Sequence, residues 1–409
     1  MEKSNLEDSI PEIIRNILTL RYIPTQKPSL PHLSWKDFTP TKNEVSTNFI
    51  ENALVSSIKT SLDYSTKKVS IALSGGIDST LILALLRNSF PDLEIDAISI
   101  RFADSTDETE QAAKIAKQFD ANHHVIFLEN FLIELPKAIS ITKLPFWDLH
   151  WYHIVKKAQS FSKFLVSGDG GDELFGGYTF RYQKFLSRIN NESTTEERIK
   201  SYLQCHERDW VIDQQSMFGE KAKFSWELIH KLIKPYFENS LAPLEQLFLA
   251  DYNGKLLYNF NPTNSAINKN FGIKAITPII SKEMIDYALH LSSNLKYDEK
   301  KNIGKLPLRK ILAKYVDEEF ITKDKQGFSI NTQSLWKSYG YKICDYYLKD
   351  ARIVKDGWIN NDWIKKHLTK SIDNLDVRYI NKFLGLLAFE IWYRIFITNE
   401  LDSQTTLDV

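Results

Sequence analysis

In Ser74-Gly75-Gly76-Ile77-Asp78-Ser79, two glycines, two serines and one acid lie between the apolar runs 69–73 and 80–86. Glycines let backbone amides turn inward, a following helix aims the positive end of its dipole at the same point, and serine hydroxyls add donors. Such a set cradles phosphate. The stretch lacks the GxxxxGK[ST] of a Walker A loop, and its one charged residue is an acid. An aspartate beside a polyphosphate repels it unless a cation stands between, so Asp78 implies Mg²⁺. The ordinary alternative is a strand-to-helix turn in which Asp78 or Ser79 caps the helix. A second acidic turn occurs in FLVSGDGGDELFGGY, residues 164–178, where Asp169, Asp172 and Glu173 sit among five glycines. Two acidic turns at neighbouring strand ends are what a magnesium-bound pyrophosphate needs.

Both stretches need strands to hold them. From 69 to 167, β-prone runs at 69–73, 95–102, 124–128 and 164–167 alternate with helical stretches at 80–86, 108–119 and 131–141. Alternation of this kind predicts an α/β fold, a parallel sheet with helices on both faces, whose ligands sit at the carboxyl ends of the strands. An amphipathic helix with Phe49, Ile50, Ala53, Leu54, Ile58 and Leu62 on its apolar stripe leads in. The expected organisation is an irregular, proline-dotted arm over 1–47, the α/β core over 48–190, a mostly helical C-terminal lobe over 191–400, and a disordered tail over 401–409. The apolar stretch 383–397 carries Glu390 and Arg394 at i,i+4 spacing and reads as a buried helix with one polar edge.

Composition removes several classes of function. Lys plus Arg (52) equals Asp plus Glu (52), so no net field draws nucleic acid or an anionic membrane. With 43% hydrophobic and 25% charged residues, the chain is that of a folded globular protein. The first residues carry scattered acids and no apolar run of a signal peptide, and the expected location is cytoplasmic. The two cysteines, Cys205 and Cys344, have no metal-site spacing. Cys205 beside His206 reads as a buried structural cysteine, since adjacent residues rarely face each other.

SGGIDS resembles the pyrophosphate loop (PP-loop) of the ATP pyrophosphatases, the adenine nucleotide alpha hydrolase-like enzymes that split ATP into AMP and pyrophosphate while adenylating a substrate oxygen. The 164–178 segment is similar to the one that marks the synthetase domain of the asparagine synthetase family. That resemblance implies positions one by one. Leu73, Ser74, Gly75, Gly76, Asp78, Ser79, Ile100, Ser167 and Gly168 would contact ATP, Asp78 and Asp172 would hold Mg²⁺, and Asp169 would stand at the reacting centre. GKLPLRK, residues 304–310, resembles the family's Lys-x-x-Leu-Arg helix start, which implies a catalytic role for Lys305. KDKQGFSINTQSLW resembles a further family segment, with Lys323 where arginine is usual. DETEQAAKIAKQFDANHH resembles the family's Asp-Glu helix and its histidine, and His123 and His124 are expected to pack at the strand start. LAFEIWYRIF resembles the closing helix and is expected to be core packing.

Departures from the family pattern shift the functional expectation. The family's cysteine glutaminase domain has no counterpart here, which predicts no glutamine hydrolysis by that route. In FGIKAITPIISKEMIDYALHL, Pro278 persists, but Lys274, Ile276 and Ser281 stand where the family has glutamate, arginine and aspartate. TKLPFWD keeps Pro145 and Asp148 but loses an acid before the proline, and Arg101 replaces a glycine. A carboxylate substrate wants a bidentate arginine, so Ile276 predicts a rewritten acceptor pocket and a substrate other than free aspartate. The expected chemistry is an ATP- and Mg²⁺-dependent, amide-forming ligase that activates a small-molecule or peptide carboxylate for attack by ammonia or an amine. A separate glutaminase subunit is one source of ammonia, a homodimer is one assembly, and neither membrane nor nucleic acid is a partner. Alternatives are an ammonia-dependent asparagine synthetase, a peptide or β-lactam-type cyclase, a PP-loop tRNA-modifying enzyme, and a non-catalytic scaffold.

Overall fold

The computed structural model describes residues 3–24, 28–103, 105, 107, 109–190, 192–206, 210–321 and 330–408. Its centre is a five-stranded sheet of β1 (Lys68–Ala72), β2 (Glu94–Phe102), β3 (Asn122–Leu128), β4 (Phe164–Val166) and β5 (Lys274–Ile276). All pairings are parallel, in the order β3-β2-β1-β4-β5. Side chains alternate across the sheet. Val69, Ile71, Ile95, Ala97 and Val166 enter one hydrophobic core, while Ala72, Ile98, Ile100 and Leu165 enter the other. Burial on both faces explains why the strands read as nearly continuous apolar runs.

The first core is roofed by α2 (Thr47–Ser61), α3 (Ile77–Ser89) and α4 (Thr109–Gln118). The second holds α1 (Lys3–Leu20), α5 (Leu135–Thr142), α6 (His150–Ala158) and the long helix Val377–Phe396. From β1 the chain winds outward through β2 to β3, then crosses back to place β4 on the other side of β1. The strand order therefore reverses between β1 and β4. In open α/β sheets that reversal leaves a crevice at the strand ends where ligands bind.

Several expectations are corrected. The arm over 1–47 is not irregular throughout, because 3–20 is helical despite Pro11, and Ile10, Ile13, Ile14, Ile17 and Leu18 are buried in the second core. Proline at 11 removes one amide bond, and burial of that isoleucine stripe outweighs the loss. The last residues are anchored: Leu407 is fully buried, its N–H donates to Ile133 O at 3.0 Å, and Asn130 Nδ2 donates to its carbonyl at 2.9 Å. The mostly helical stretch after 190 also contributes one short strand, β5, to the sheet. Three residues are too few for a period-2 signal to stand out.

In the helix Val377–Phe396, Glu390 is fully buried and does more than pack. Its carboxylate accepts the N–H groups of Arg352 at 2.8 Å and Ile353 at 3.0 Å and pairs with Arg394. Cys205 and Cys344 are both buried and unbridged. No described helix is long and apolar enough to cross a membrane.

Candidate active site

The glycine loop leaves β1 at the crevice. Leu73 still belongs to the ladder, donating to Ile98 O at 2.9 Å, and its carbonyl accepts Ser99 Oγ at 2.6 Å. Ser99 Oγ lies 2.8 Å from His123 Nε2, and since that hydroxyl proton goes to Leu73, the imidazole is the donor. His124 stacks on Phe161 and reaches Asp96 at 2.7 Å, as a packing residue would. Ile100 is buried near the end of β2, on the same face as Ala72.

Gly75 adopts φ +73°, a left-handed turn, and Gln111 Nε2 donates to its carbonyl at 3.2 Å. The serines close the loop on itself: Ser74 N–H donates to Ser79 Oγ at 3.2 Å, the two hydroxyls meet at 3.1 Å, and Gly76 N–H donates to Ser74 Oγ at 3.3 Å. They shape the cradle by these bonds. The N-cap of α3 is Gly76, with no side-chain cap, so neither Asp78 nor Ser79 fills that role. The first-turn amides and the dipole end consequently face the crevice without an internal acceptor from a cap.

The second acidic turn leaves β4, where Ser167 N–H donates to Ile276 O at 3.0 Å. Gly168 and Gly171 abut Asp78, and a Cβ at Gly171 would overlap the Asp78 carboxylate. After α7 (Gly171–Phe175), a Cβ at Gly177 would overlap both Asp172 Oδ1 and Lys305 Cε. These glycines are required by close approach: the two turns interlock, and side chains would wedge them apart.

Lys305 closes the corner. Its Nζ pairs with Asp78 Oδ2 and lies 2.8 Å from Asp172 Oδ1. Burial alone would lower its pKa, but Asp172 and Asp78 outweigh that and hold it above the ordinary lysine value. The residue has left-handed backbone, φ 59° and ψ 32°, pinned by its N–H donating to Phe175 O at 2.9 Å. A non-glycine residue in that region carries about 1–3 kcal/mol of strain, and such strain clusters at functional sites. Two carboxylates that share one cation can also share Mg²⁺. That ion takes one or two carboxylates and completes its shell with water and phosphate oxygens, so the donor set fits a metal carried by a nucleotide.

Asp169 faces an adjoining cavity of about 360 Å³ rather than the Lys305 corner. Burial raises its pKa, opposed by hydrogen bonding from Ser167, the charge of His150 and a bond from Asn264 Nδ2 at 3.2 Å. Burial lowers the pKa of His150, against the charges of Asp148 and Asp169. Asp148 pairs with Arg21, whose carbonyl accepts Asn259 Nδ2 at 2.7 Å. Arg21 and His150 carry no local pattern that marks them, since the tertiary fold alone brings them to Asp148.

Ile276 does not line this cavity. It is 2% exposed within the first core, and its neighbours Ala275 and Thr277 line the cavity instead, because successive strand residues face opposite ways. Lys323 lies outside the described residues.

The asparagine synthase family model matches residues 50–394. Asparagine synthetase [glutamine-hydrolyzing] 1 of Bacillus subtilis is 24% identical over 364 residues, covering 79% of this chain and 55% of that protein. A putative asparagine synthetase [glutamine-hydrolyzing] 2 of Methanocaldococcus jannaschii is 38% identical over 112 residues, covering 26% of this chain and 22% of that protein. The solved NMN synthetase of Francisella tularensis aligns at 16% identity and TM-score 0.27, covering 51% of this chain and 95% of that one, a likeness too slight to carry weight. The chain thus spans about half the length of the Bacillus relative.

Proposed function

The chain belongs to the asparagine synthase family, and from that premise we propose that it is an ATP-dependent ligase that adenylates a carboxylate and passes the acyl group to ammonia or an amine. The observation that carries this reading is Lys305 held between Asp78 and Asp172 where the two glycine turns interlock. Bound there, Mg²⁺ would neutralise the triphosphate and help pyrophosphate to leave. The PP-loop amides and the N-terminus of α3 would receive the phosphates, with Leu73 and Ile100 beside the nucleoside. With Asp78 and Asp172 holding the metal, the Lys305 ammonium would be free to stabilise the reacting phosphate and carboxylate. A cation there stabilises charge that develops as the acyl phosphate bond forms and breaks. Asp169 stands at the mouth of the cavity where the acid would lie. Catalysis is then chiefly positioning and electrostatics.

The test is acid-dependent exchange of labelled pyrophosphate into ATP, with AMP rather than ADP as the nucleotide product of full turnover. Release of ADP and phosphate, or exchange that needs no acid, would refute adenylation.

A further inference from the structure

The cavity beside Asp169 has a mixed lining. Leu256, Phe260, Ile273, Ala275 and Ile280 are its apolar part. Its polar part includes one face of the helix Asn261–Asn270, on which Asn261, Asn264, Ser265 and Asn268 recur at i, i+3, i+4 and i+7. That helix continues a π-helical segment, Tyr252–Phe260, which itself continues the helix Pro243–Asp251. Pro262 has no N–H for the ordinary i→i−4 bond, and Asn261 N–H reaches back to Leu256 O. The wider turn therefore ends where the row of carboxamides begins.

The carboxamides are oriented by the framework. Asn268 is 6% exposed, and its Oδ1 accepts the indole N–H of Trp151 at 3.0 Å. Indole is a donor only, so the amide orientation is fixed and Nδ2 is the group left over. Asn264 gives Nδ2 to Asp169, which leaves its Oδ1. Asn261 gives Nδ2 to Ser29 Oγ at 2.5 Å, which leaves its Oδ1. An acceptor and a donor thus stand one helical turn apart, ~5–6 Å between Cβ atoms, with no protein partner among the described residues. A ligand that covers these groups without matching them loses their hydration, which is what makes pre-oriented amides selective.

Charge is scarce in the same space. The charged residues lining it are Asp169 and the exposed Lys269 at the rim, and Arg21 is already paired with Asp148. A solvated, exposed lysine holds a carboxylate only weakly. A free α-amino diacid would bring an ammonium and a second carboxylate among neutral amides. At ~30 Å³ per water the cavity of about 360 Å³ holds roughly a dozen waters, room enough for a larger body.

From this geometry we infer that the cavity selects a carboxylate carried on an uncharged, hydrogen-bonding body with one apolar face, with Asn264 and Asn268 reading that body. The inference deepens the proposed ligase reading and rests on it. Two sources share the chemistry: an acid whose body is acylated peptide, and an acid whose body is an N-acylated sugar ring.

The experiment is pyrophosphate exchange by the full chain with N-acetylglycylglycine, an N-acetylhexosaminuronic acid and free aspartate. Exchange with either neutral-bodied acid at a kcat/KM at least ~10-fold above aspartate supports the inference, one good hydrogen bond being about 1.4 kcal/mol, and the acid that works identifies the source. Exchange with aspartate at an equal or higher value overturns the inference and leaves adenylation standing. Exchange with none of the three overturns both.

Asn268→Asp keeps the acceptor for Trp151 and turns the free donor into an acceptor. It should raise KM for the preferred acid ~10-fold while KM for ATP stays fixed; the thermal midpoint falls, because the new carboxylate is nearly buried. An unchanged acid KM would remove Asn268 from the assignment, whatever the fold tolerates. Asn270→Ala, exposed on the same helix and outside the cavity lining, controls for general disturbance of the helix.

Discussion

Among the cation–carboxylate clusters of the described residues, two differ sharply in how they are built. Arg181, on α8 (Thr179–Leu186), binds both oxygens of Asp251 at 3.1 and 2.9 Å, with both side chains under 5% exposed. Tyr202 OH donates to the same carboxylate at 3.2 Å, and His206 accepts from Arg181. A planar guanidinium matched to both oxygens of a carboxylate that also accepts a phenol is a locked arrangement. The Lys305 cluster is open. One ammonium spans two acids that remain 16% and 20% exposed, on strained backbone, against glycines that admit no side chain. A point charge on a flexible stem gives up one partner for another at low cost, whereas the Arg181 fork is locked. Burial of charge alone therefore does not separate a working site from a structural one. What separates them is whether the partners have access to something that can replace the cation.

The contrast is broken most directly by exchanging the damage. Lys305→Met should lower pyrophosphate exchange by ~10²–10³-fold, the range for removing one preorganised electrostatic stabiliser, with less than about 2 kcal/mol lost in chemical denaturation because Asp78 and Asp172 reach solvent. Arg181→Met should do the reverse: about 3–5 kcal/mol lost from stability, since Asp251 is left buried and unpaired, and little change in exchange per folded molecule. If both variants lose the same property, the distinction fails.

Gly177→Ala sharpens the comparison with a smaller effect. The atoms nearest the added methyl are at the ends of the Asp172 and Lys305 side chains. Those ends can move, so we expect a stability change below about 1.5 kcal/mol alongside a fall in exchange of at least ~10-fold. A denaturation midpoint that drops as far as that of Arg181→Met would show the corner to be structural.

Acid and base should separate the clusters most gently. Burial, then Arg181 and Lys255, hold the His206 pKa well below the ordinary value of 6.5, so it stays neutral in the fold. The unfolded chain binds a proton there below pH 6.5, so stability is full above that pH and falls by up to about 1.4 kcal/mol per pH unit beneath it. His206→Gln, which still accepts from Arg181, should flatten that part of the slope. His153, lowered to about 4 by burial, adds a slope of the same sign down to that pH. Lys305 has the opposite linkage. Its raised pKa gives stability that is present below pH 10.5 and lost as the pH climbs through the higher folded value. Denaturation midpoints across acid and alkaline buffers read both limbs, and a slope unchanged by His206→Gln would count against the locked cluster.

The parallel sheet was legible because β1, β2 and β4 are buried on both faces and so read as apolar runs between helical stretches. The two acidic turns were legible because close backbone approach admits only glycine, and that demand is written in the residue types themselves. Less of the periphery could be read. The isoleucine stripe of α1 is plain, yet Pro11 and the prolines after it suggested a strap rather than a helix. Ile276 was misplaced because a gapless register gives a residue's position in a strand but not which face of the sheet is the pocket. The amide row is visible in NPTNSAINKN as a helical stripe, but a polar stripe usually faces water, and only the fold turns this one inward.

By itself the chain's order of residues determined the local devices: a glycine-lined strand-to-helix turn, an acidic turn, and a lysine before a proline-opened helix. Local geometry depends on near neighbours, whose steric and hydrogen-bonding preferences are set by residue type. Only the tertiary structure decided that β4 returns beside β1, so that the two turns leave adjacent strand ends, that Lys305 arrives from more than two hundred residues away to sit between them, and that Asp169 looks into a separate, nearly neutral cavity. Those outcomes follow from strand order and from packing between two cores, which are sums over distant contacts that no single segment contains.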